Sequence, residues 1–313
     1  MADKSELTSA KKFIDLFAGI GGTRLAFESA GFRCVFSSEW DLHSQKTYEA
    51  NFGERPHGDI TKIGAEAIPD FDILVGGFPC QPFSSIGKRQ GFEHDTQGTL
   101  FFDIARILRA KTPSALLLEN VKGLLTHDSG NTWRVIQKTL SELGYSVRAK
   151  VLDSADFGVP QHRERIYIVG FKDAKAFEHF EFPVPLDHKV GIGSFLESNV
   201  SDRSISKHLQ TSYIFKKDDG RPQIVSKKSD FQVKTLVASY HKIQRLTGTF
   251  VDDGPTGLRL LTENECKAIM GFPKDFRVPV SRTQMYRQFG NSVAVPVVAS
   301  IATQMRLALG DHA

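Results

Sequence analysis

The chain has 313 residues, 40% of them apolar and 24% charged, with 26 Gly and 13 Pro. This composition excludes disordered, collagen-like and repeat material, and the length allows about two domains. A net charge of +4 is too small to diagnose a polyanion partner by itself. Residues 1–12 are polar with both charge signs and no apolar run approaches the roughly 20 residues that span a bilayer, so no membrane association is expected and the expected location is the cytoplasm. Cys34, Cys80 and Cys266 lie far apart without Cys-x-x-Cys spacing, and the ten histidines are scattered. Neither a disulfide framework nor a metal site is expected, and Cys34 and Cys266 read as core residues.

Residues 13–17 are an apolar run ending in Ala18-Gly19-Ile20-Gly21-Gly22, followed by helix-like spacing over 23–30, which predicts a strand, a tight glycine turn and a helix. Further strands are predicted at 34–38, 73–77, 115–118, 146–152 and 166–171, with helices at 42–51, 100–110 and 132–143. The alternation argues for a doubly wound, mostly parallel sheet with helices on both faces. From about residue 181 to 257 the sequence turns basic and irregular, with short β-like pieces such as 235–240. Helical periodicity returns at 262–270, and a last helix at 295–309 is expected to pack back on the first domain.

The charge has a location. Residues 201–250 hold ten Lys or Arg against four Asp, a net +6, which leaves the rest of the chain at about −2. Such a segment is either a nucleic-acid face or a solvated Lys-rich surface.

The glycine turn brings backbone to the carboxyl edge of a sheet, where open α/β folds bind nucleotides, although it lacks the Gly-x-Gly-x-x-Gly spacing. Glu39, about twenty residues on at the end of the second strand, can accept ribose hydroxyl hydrogen bonds. Trp40 suits stacking on adenine or a place in the core. Asp59 can accept from an exocyclic amine or form an Asx turn before a helix. In Gly76-Gly77-Phe78-Pro79-Cys80-Gln81-Pro82-Phe83-Ser84, a cysteine is held on a constrained loop directly after a strand, the setting of a nucleophile. Glu119 follows the strand at 115–118, so its carboxylate emerges at the same edge. Gln161-His162-Arg163-Glu164-Arg165 brings guanidinium groups to that region or forms an ordinary salt-bridge cluster.

The segments Asp15-Leu16-Phe17-Ala18-Gly19-Ile20-Gly21-Gly22, Gly77 to Ser84, Glu119-Asn120-Val121, Gln161 to Arg165 and Gln288-Phe289-Gly290-Asn291-Ser292-Val293 resemble, in order, the cytosine-5 DNA methyltransferases. The likeness covers about residues 13–171 and 258–300, and its length is that of compact bacterial modification enzymes. The resemblance implies the S-adenosylmethionine-dependent methyltransferase fold, that cofactor, and a pocket of Phe17, Gly19, Ile20, Gly22, Glu39, Trp40, Asp59, Ile60, Pro79, Leu100, Asn291 and Val293. It further implies that the Cys80 thiolate adds to C6 of cytosine, that Glu119 holds or protonates N3, and that Arg163 and Arg165 hold the base's carbonyl and support Cys80 or Glu119. The product is then 5-methylcytosine. An arginine beside Glu119 favours its ionised form, so the proton for N3 requires an opposing shift from desolvation.

A C6 atom inside a stacked duplex is out of reach of a pocket cysteine, so double-stranded DNA is the expected partner and its cytosine is flipped out. Residues 84–98 read as a loop over the site, hinged at Gly87, Gly91 and Gly98, with Gln81, Ser84, Lys88 and Arg89 near DNA. The expected organisation is a catalytic and cofactor-binding domain at 1–185, a smaller, partly β recognition domain at 186–275, and a hinge and returning helix at 276–313. Within the middle part, Thr235-Leu236 resembles the short pair shared by such regions, and Lys242, Gln244 and Arg245 are candidates for guanine edges or phosphates. A monomer is expected, with a cognate restriction endonuclease as a further partner. The alternatives are a relative acting on tRNA, which in that branch usually reads Pro-Pro-Cys where this chain has Phe78-Pro79-Cys80, a catalytically silent DNA binder, and a nicotinamide dehydrogenase.

Overall fold

The computed structural model of the chain describes residues 10–78 and 100–310. Six strands, β1 (Lys12–Leu16), β2 (Arg33–Ser38), β3 (Ile73–Gly77), β4 (Ala115–Val121), β5 (Ser146–Asp153) and β6 (Glu164–Phe171), form one sheet in the order β2-β1-β3-β4-β6-β5. The first four strands are parallel, whereas β6 runs antiparallel to both β4 and β5. The mostly parallel sheet expected from the alternation is therefore present. Its exception follows from connectivity: β5 reaches β6 through a short loop, which permits an antiparallel return but not a crossover.

Side chains alternate across the sheet with the period of two that a strand imposes. Phe13, Ile73, Val75, Leu117 and Val169 lie in one core with Phe27 of α1 (Gly22–Ser29), while α2 (Leu42–Phe52) follows β2. Ile14, Leu16, Leu74, Leu116 and Leu118 lie in a second core. That core is closed by Ile104 and Leu108 of α3 (Leu100–Lys111) and by Ile136 and Leu140 of α4 (Asn131–Glu142). After a short α5 (Ala174–His179) the chain enters its irregular part, where β7 (Gln223–Val225) and β8 (Thr249–Val251) make a two-stranded parallel sheet. The β-like piece expected at 235–240 forms no strand: it is irregular at 235–237, turns at 238–239 and ends in a 3-10 turn at Tyr240–Lys242.

Three helices close the structure: α6 (Glu263–Met270), α7 (Arg282–Asn291) and α8 (Val295–Ala308). The reading of the sequence omitted α7, whose apolar Met285, Tyr286 and Phe289 are buried among polar neighbours and whose Ser281 hydroxyl accepts from the Gln284 amide as its N-cap. Ile301 and Met305 of α8 pack in the same core as Phe13, so the chain's end returns to the sheet as expected. Ile205, Val225, Tyr240 and Phe250 belong to that core as well, which joins the irregular part to one face of the sheet. Cys266 is buried in α6, and burial pushes the half-buried Cys34 thiol up to about 12. No helix among the described residues is long and apolar enough to cross a membrane.

Candidate active site

Because β1 to β4 are parallel, their carboxyl ends lie along one edge, and the residues singled out in the sequence follow those ends. After β1 the backbone takes left-handed values at Phe17 (φ 58°), Gly19 (φ 56°) and Gly21 (φ 90°). A Cβ built on Gly19 meets nothing within 4 Å, so the turn is open to a ligand on that side. Gly22 is different: a Cβ there would lie 2.8 Å from Ser292 Oγ and 3.1 Å from Val293 Cγ2. Its close approach is to the 292–293 segment, which brings Val293, another residue assigned to the cofactor pocket, against the glycine turn.

Glu39, just past β2, accepts the Gly19 amide on Oε2 and the Asp41 amide on Oε1, each at 2.8 Å. Each carboxylate oxygen retains a lone pair for a further donor. Burial raises the Glu39 pKa, and those two amides oppose the rise. Trp40 is 76% exposed, so it is no core residue and its ring is available for stacking. His57 donates its amide to Ser37 O and its carbonyl accepts from Glu39, which lays the 57–60 segment beside β2. Asp59 Oδ1 accepts from both the amide and the hydroxyl of Thr61, the Asx-type cap that was the alternative reading. Oδ2 has only the exposed Lys62 at 3.7 Å. Ile20 and Ile60 are buried in the two cores, so their side chains do not line an open pocket. Arg106 of α3 donates to Ile60 O at 3.0 Å and ties the helix begun by Leu100 to this segment. Exposed Asn291 and half-buried Val293 follow from α7. An open turn, a doubly anchored carboxylate with free lone pairs and an exposed indole fit the nucleoside and amino-acid portions of S-adenosylmethionine.

Glu119 pairs with Gly77 across β3 and β4. Asn120 Nδ2 donates 2.8 Å to Phe78 O, which fixes the chain where it leaves β3 two residues before Cys80. Pro79 and Cys80, with Gln81, Ser84, Lys88 and Arg89, lie outside the described residues. The Glu119 side chain is 16% exposed, and its Oε1 stands 3.1 Å from Arg165 Nε. Burial nevertheless raises the Glu119 pKa against the opposing charges of Arg165 and Arg163. The opposing shift expected from desolvation is thus present in the folded chain.

Arg163 has a part beyond the expected one. It is 3% exposed, and its guanidinium donates to Leu236 O at 3.2 Å, Gly290 O at 3.1 Å and Ser292 O at 2.6 Å. These bonds use three of its five N–H donors, so the guanidinium holds backbone as well as standing near Glu119, whose carboxylate its charge favours. Only Nε lacks a partner among the described residues. Arg165, by contrast, faces the Glu119 carboxylate directly. The neighbouring Gln161 was given no part, yet it is fully buried, donates to Ile269 O at 2.9 Å and accepts the Leu236 amide at 2.6 Å. Its place at the head of the Gln161 to Arg165 run was the available signal.

In the irregular part, the Thr235 hydroxyl donates to His162 O at 2.6 Å. Arg245 is buried against Asp219, Ile214 O and Lys217 O, so its guanidinium braces a loop and cannot also read a base edge. Lys242 is exposed two positions beyond Tyr240, and Gln244 accepts from Ser239 and Thr247, leaving its amide nitrogen with no recorded bond among the described residues.

A family model described as C-5 cytosine-specific DNA methylase matches residues 11–306. The chain is 63% identical to the Type II methyltransferase M.BsuFI of Bacillus subtilis, over 94% of this chain and 72% of that one. It is 61% identical to M.MspI of Moraxella sp, over 98% and 73%. The solved structure of a Spodoptera frugiperda DNMT2 mutant superposes with a TM-score of 0.75 at 23% identity, over 95% of this chain and 99% of that one, a likeness of fold. With the family match spanning nearly the whole chain, this protein belongs to the C-5 cytosine-specific DNA methylases.

Proposed function

We propose that the chain methylates C5 of a flipped-out cytosine in a short specific duplex site, using S-adenosylmethionine, as the modification enzyme of a restriction-modification system. The carrying observation is the partly buried Glu119–Arg165 pair beside Gly77, at the edge where β3 leads towards Cys80. The C5 position of cytosine is too weakly nucleophilic to take a methyl group unaided. In this reading the Cys80 thiolate adds to C6, while Glu119, held towards its neutral form by burial, donates its proton to N3. Electron density then moves to C5. Arg165 holds the base's carbonyl and, after transfer, stabilises the Glu119 carboxylate. The C5 proton then leaves to solvent water, its bonding pair re-forms the C5–C6 double bond and expels the Cys80 thiolate, and N3 returns its proton to the Glu119 carboxylate.

S-adenosylmethionine supplies the activated methyl group. Glu39 would hold its ribose, Trp40 its adenine, Asp59 the exocyclic amine, and the open backbone at Gly19 its methionine portion, with Asn291 and Val293 closing the pocket. Residues 186–275 would read the DNA, with Thr235, Lys242 and Gln244 on that face and Arg245 beneath it. The Type II methyltransferase names of the relatives support a role beside a cognate endonuclease, and we take the enzyme to act as a cytoplasmic monomer.

The test is transfer of labelled methyl to unmethylated plasmid DNA, with tRNA in parallel, followed by base-resolution mapping of 5-methylcytosine. Label in DNA at one short motif is expected. Label in tRNA alone overturns the substrate, and cofactor binding without transfer overturns the catalytic reading in favour of a silent DNA binder.

A further inference from the structure

The recognition segment and the cofactor wall meet at two residues. Residues 233–236 are laid along residues 160–162, just before β6: Val233 N donates to Pro160 O at 2.8 Å, His162 N to Val233 O at 2.9 Å, and Leu236 N to Gln161 Oε1 at 2.6 Å. The Arg163 guanidinium then takes Leu236 O from this segment and Gly290 O and Ser292 O from the end of α7. Gly290 itself is pressed on the same stretch, since a Cβ there would lie 2.6 Å from Ala238 Cα.

On its other side, the 288–293 segment touches the elements assigned to the cofactor. Thr47 of α2, the helix that follows Glu39 and Trp40, donates to Gln288 Oε1 at 3.0 Å. Ser292 Oγ and Val293 Cγ2 abut Gly22 at the end of the glycine turn. One short segment is therefore clamped between the 236–238 backbone and the turn at 19–22.

We infer that Arg163 and Gly290 are positioning residues that couple target DNA to cofactor, each ligand setting the placement of the wall on which the other depends. The physical ground is the shared donor. A buried guanidinium holding three carbonyls from two segments cannot keep all three if either segment moves by about an ångström, because hydrogen bonds weaken steeply with misalignment. Close packing at Gly290 leaves no slack to absorb such a shift. The free energy of ordering residues 290–293 then depends on where 236–238 sit, and by linkage the converse holds. The inference rests on the cofactor reading above, and the test separates the two.

Equilibrium dialysis of labelled S-adenosylhomocysteine against the full chain, with and without excess linear plasmid DNA, gives the coupling factor directly. Wild-type protein is expected to bind S-adenosylhomocysteine roughly 5- to 150-fold more tightly with DNA present, the usual range of such coupling. In Arg163→Lys, whose ammonium cannot span three carbonyls, and in Gly290→Ala, the factor falls towards one. A purely structural role would weaken both affinities and leave their ratio unchanged, and that result overturns the inference. Should either variant fail to fold, hydrogen exchange on wild-type protein decides: S-adenosylhomocysteine alone is expected to slow exchange over 233–240, and unchanged exchange there overturns the coupling. Wild-type binding that is indifferent to DNA overturns the coupling alone, whereas no binding under either condition overturns the cofactor reading and the coupling with it.

Discussion

Arg165 Nε stands 3.1 Å from Glu119 Oε1, yet burial outweighs that cation and its neighbour Arg163 and holds the Glu119 carboxyl above its ordinary 4.5. A carboxyl raised in the folded state stabilises the protein below its unfolded pKa, and that contribution is lost as pH rises through the folded value. Glu119→Gln, which never ionises, is therefore expected to melt higher than wild type, with a gap that widens as pH rises from the ordinary 4.5 through the raised folded value. The same variant should lose about 10²- to 10⁴-fold in kcat, the usual worth of a positioned acid. Thermal melts across that range and single-turnover methyl transfer check the two halves. A variant that loses activity but melts lower at about pH 8 would show that the ion pair, not burial, governs this carboxyl.

Arg259 is fully buried and bonds Asp253 and Glu265, each at 2.8 Å, along with Glu197 O and Leu260 O. Glu265 also closes the capping box of α6 through Thr262. Arg259→Met would leave the fully buried Glu265 carboxylate without its cation, and removing one partner of such a pair costs about 3–5 kcal/mol. Partial burial of Asp253 would raise its pKa, but Arg259 and the amides of Val200, Gly254 and Asn199 bring it down to about 2. That lowered value contributes stability above the ordinary 3.8 which is lost as pH falls towards about 2. Asp253→Asn should accordingly narrow its stability deficit against wild type as acid is approached, measured by urea denaturation at a series of pH values.

The sheet and its edge were legible because β1, β3 and β4 are short, largely apolar runs, each closely followed or interrupted by residues that break the pattern: the glycines after Phe17, Pro79 after Phe78, and Glu119-Asn120 within β4. The direction of β6 was not legible, since a buried strand reads alike in either direction. Helix α7 was hidden because its buried side is narrow, with arginines and glutamines filling the rest. The site residues were found by type and position, but their partners were not. Arg163 looks like a substrate ligand in sequence, and only the fold brings it to Leu236 and Gly290, 73 and 127 positions away. Arg245 failed in the same way, since its acceptors on residues 214–219 come from a separate stretch of chain.

The placement of Arg245 separates brace from contact by salt dependence. A residue bound to phosphate contributes about one unit to the slope of log affinity against log salt, whereas an internal brace contributes none. Arg245→Ala should weaken DNA binding with an unchanged slope, while Lys242→Ala, at an exposed position, should lower the slope by about one. Fluorescence anisotropy of a labelled duplex over a salt series reads both, and an altered slope in Arg245→Ala would return that residue to the DNA.

Trp40 offers the cleanest separation of binding from stability. Being 76% exposed, its indole contributes little to the core, so Trp40→Ala should melt with wild type. Stacking of a base on an aromatic ring is worth about 1–3 kcal/mol, so loss of the indole should weaken S-adenosylhomocysteine binding by roughly 5- to 150-fold. The chain has two tryptophans, and Trp133 lies on α4 beside Val147 and Val151 of β5, the strand at the opposite edge of the sheet from β2. Quenching of tryptophan fluorescence on addition of S-adenosylhomocysteine should therefore vanish in Trp40→Ala and survive in Trp133→Phe. Quenching that follows Trp133 instead would move the adenine away from Glu39 and with it the ribose assignment.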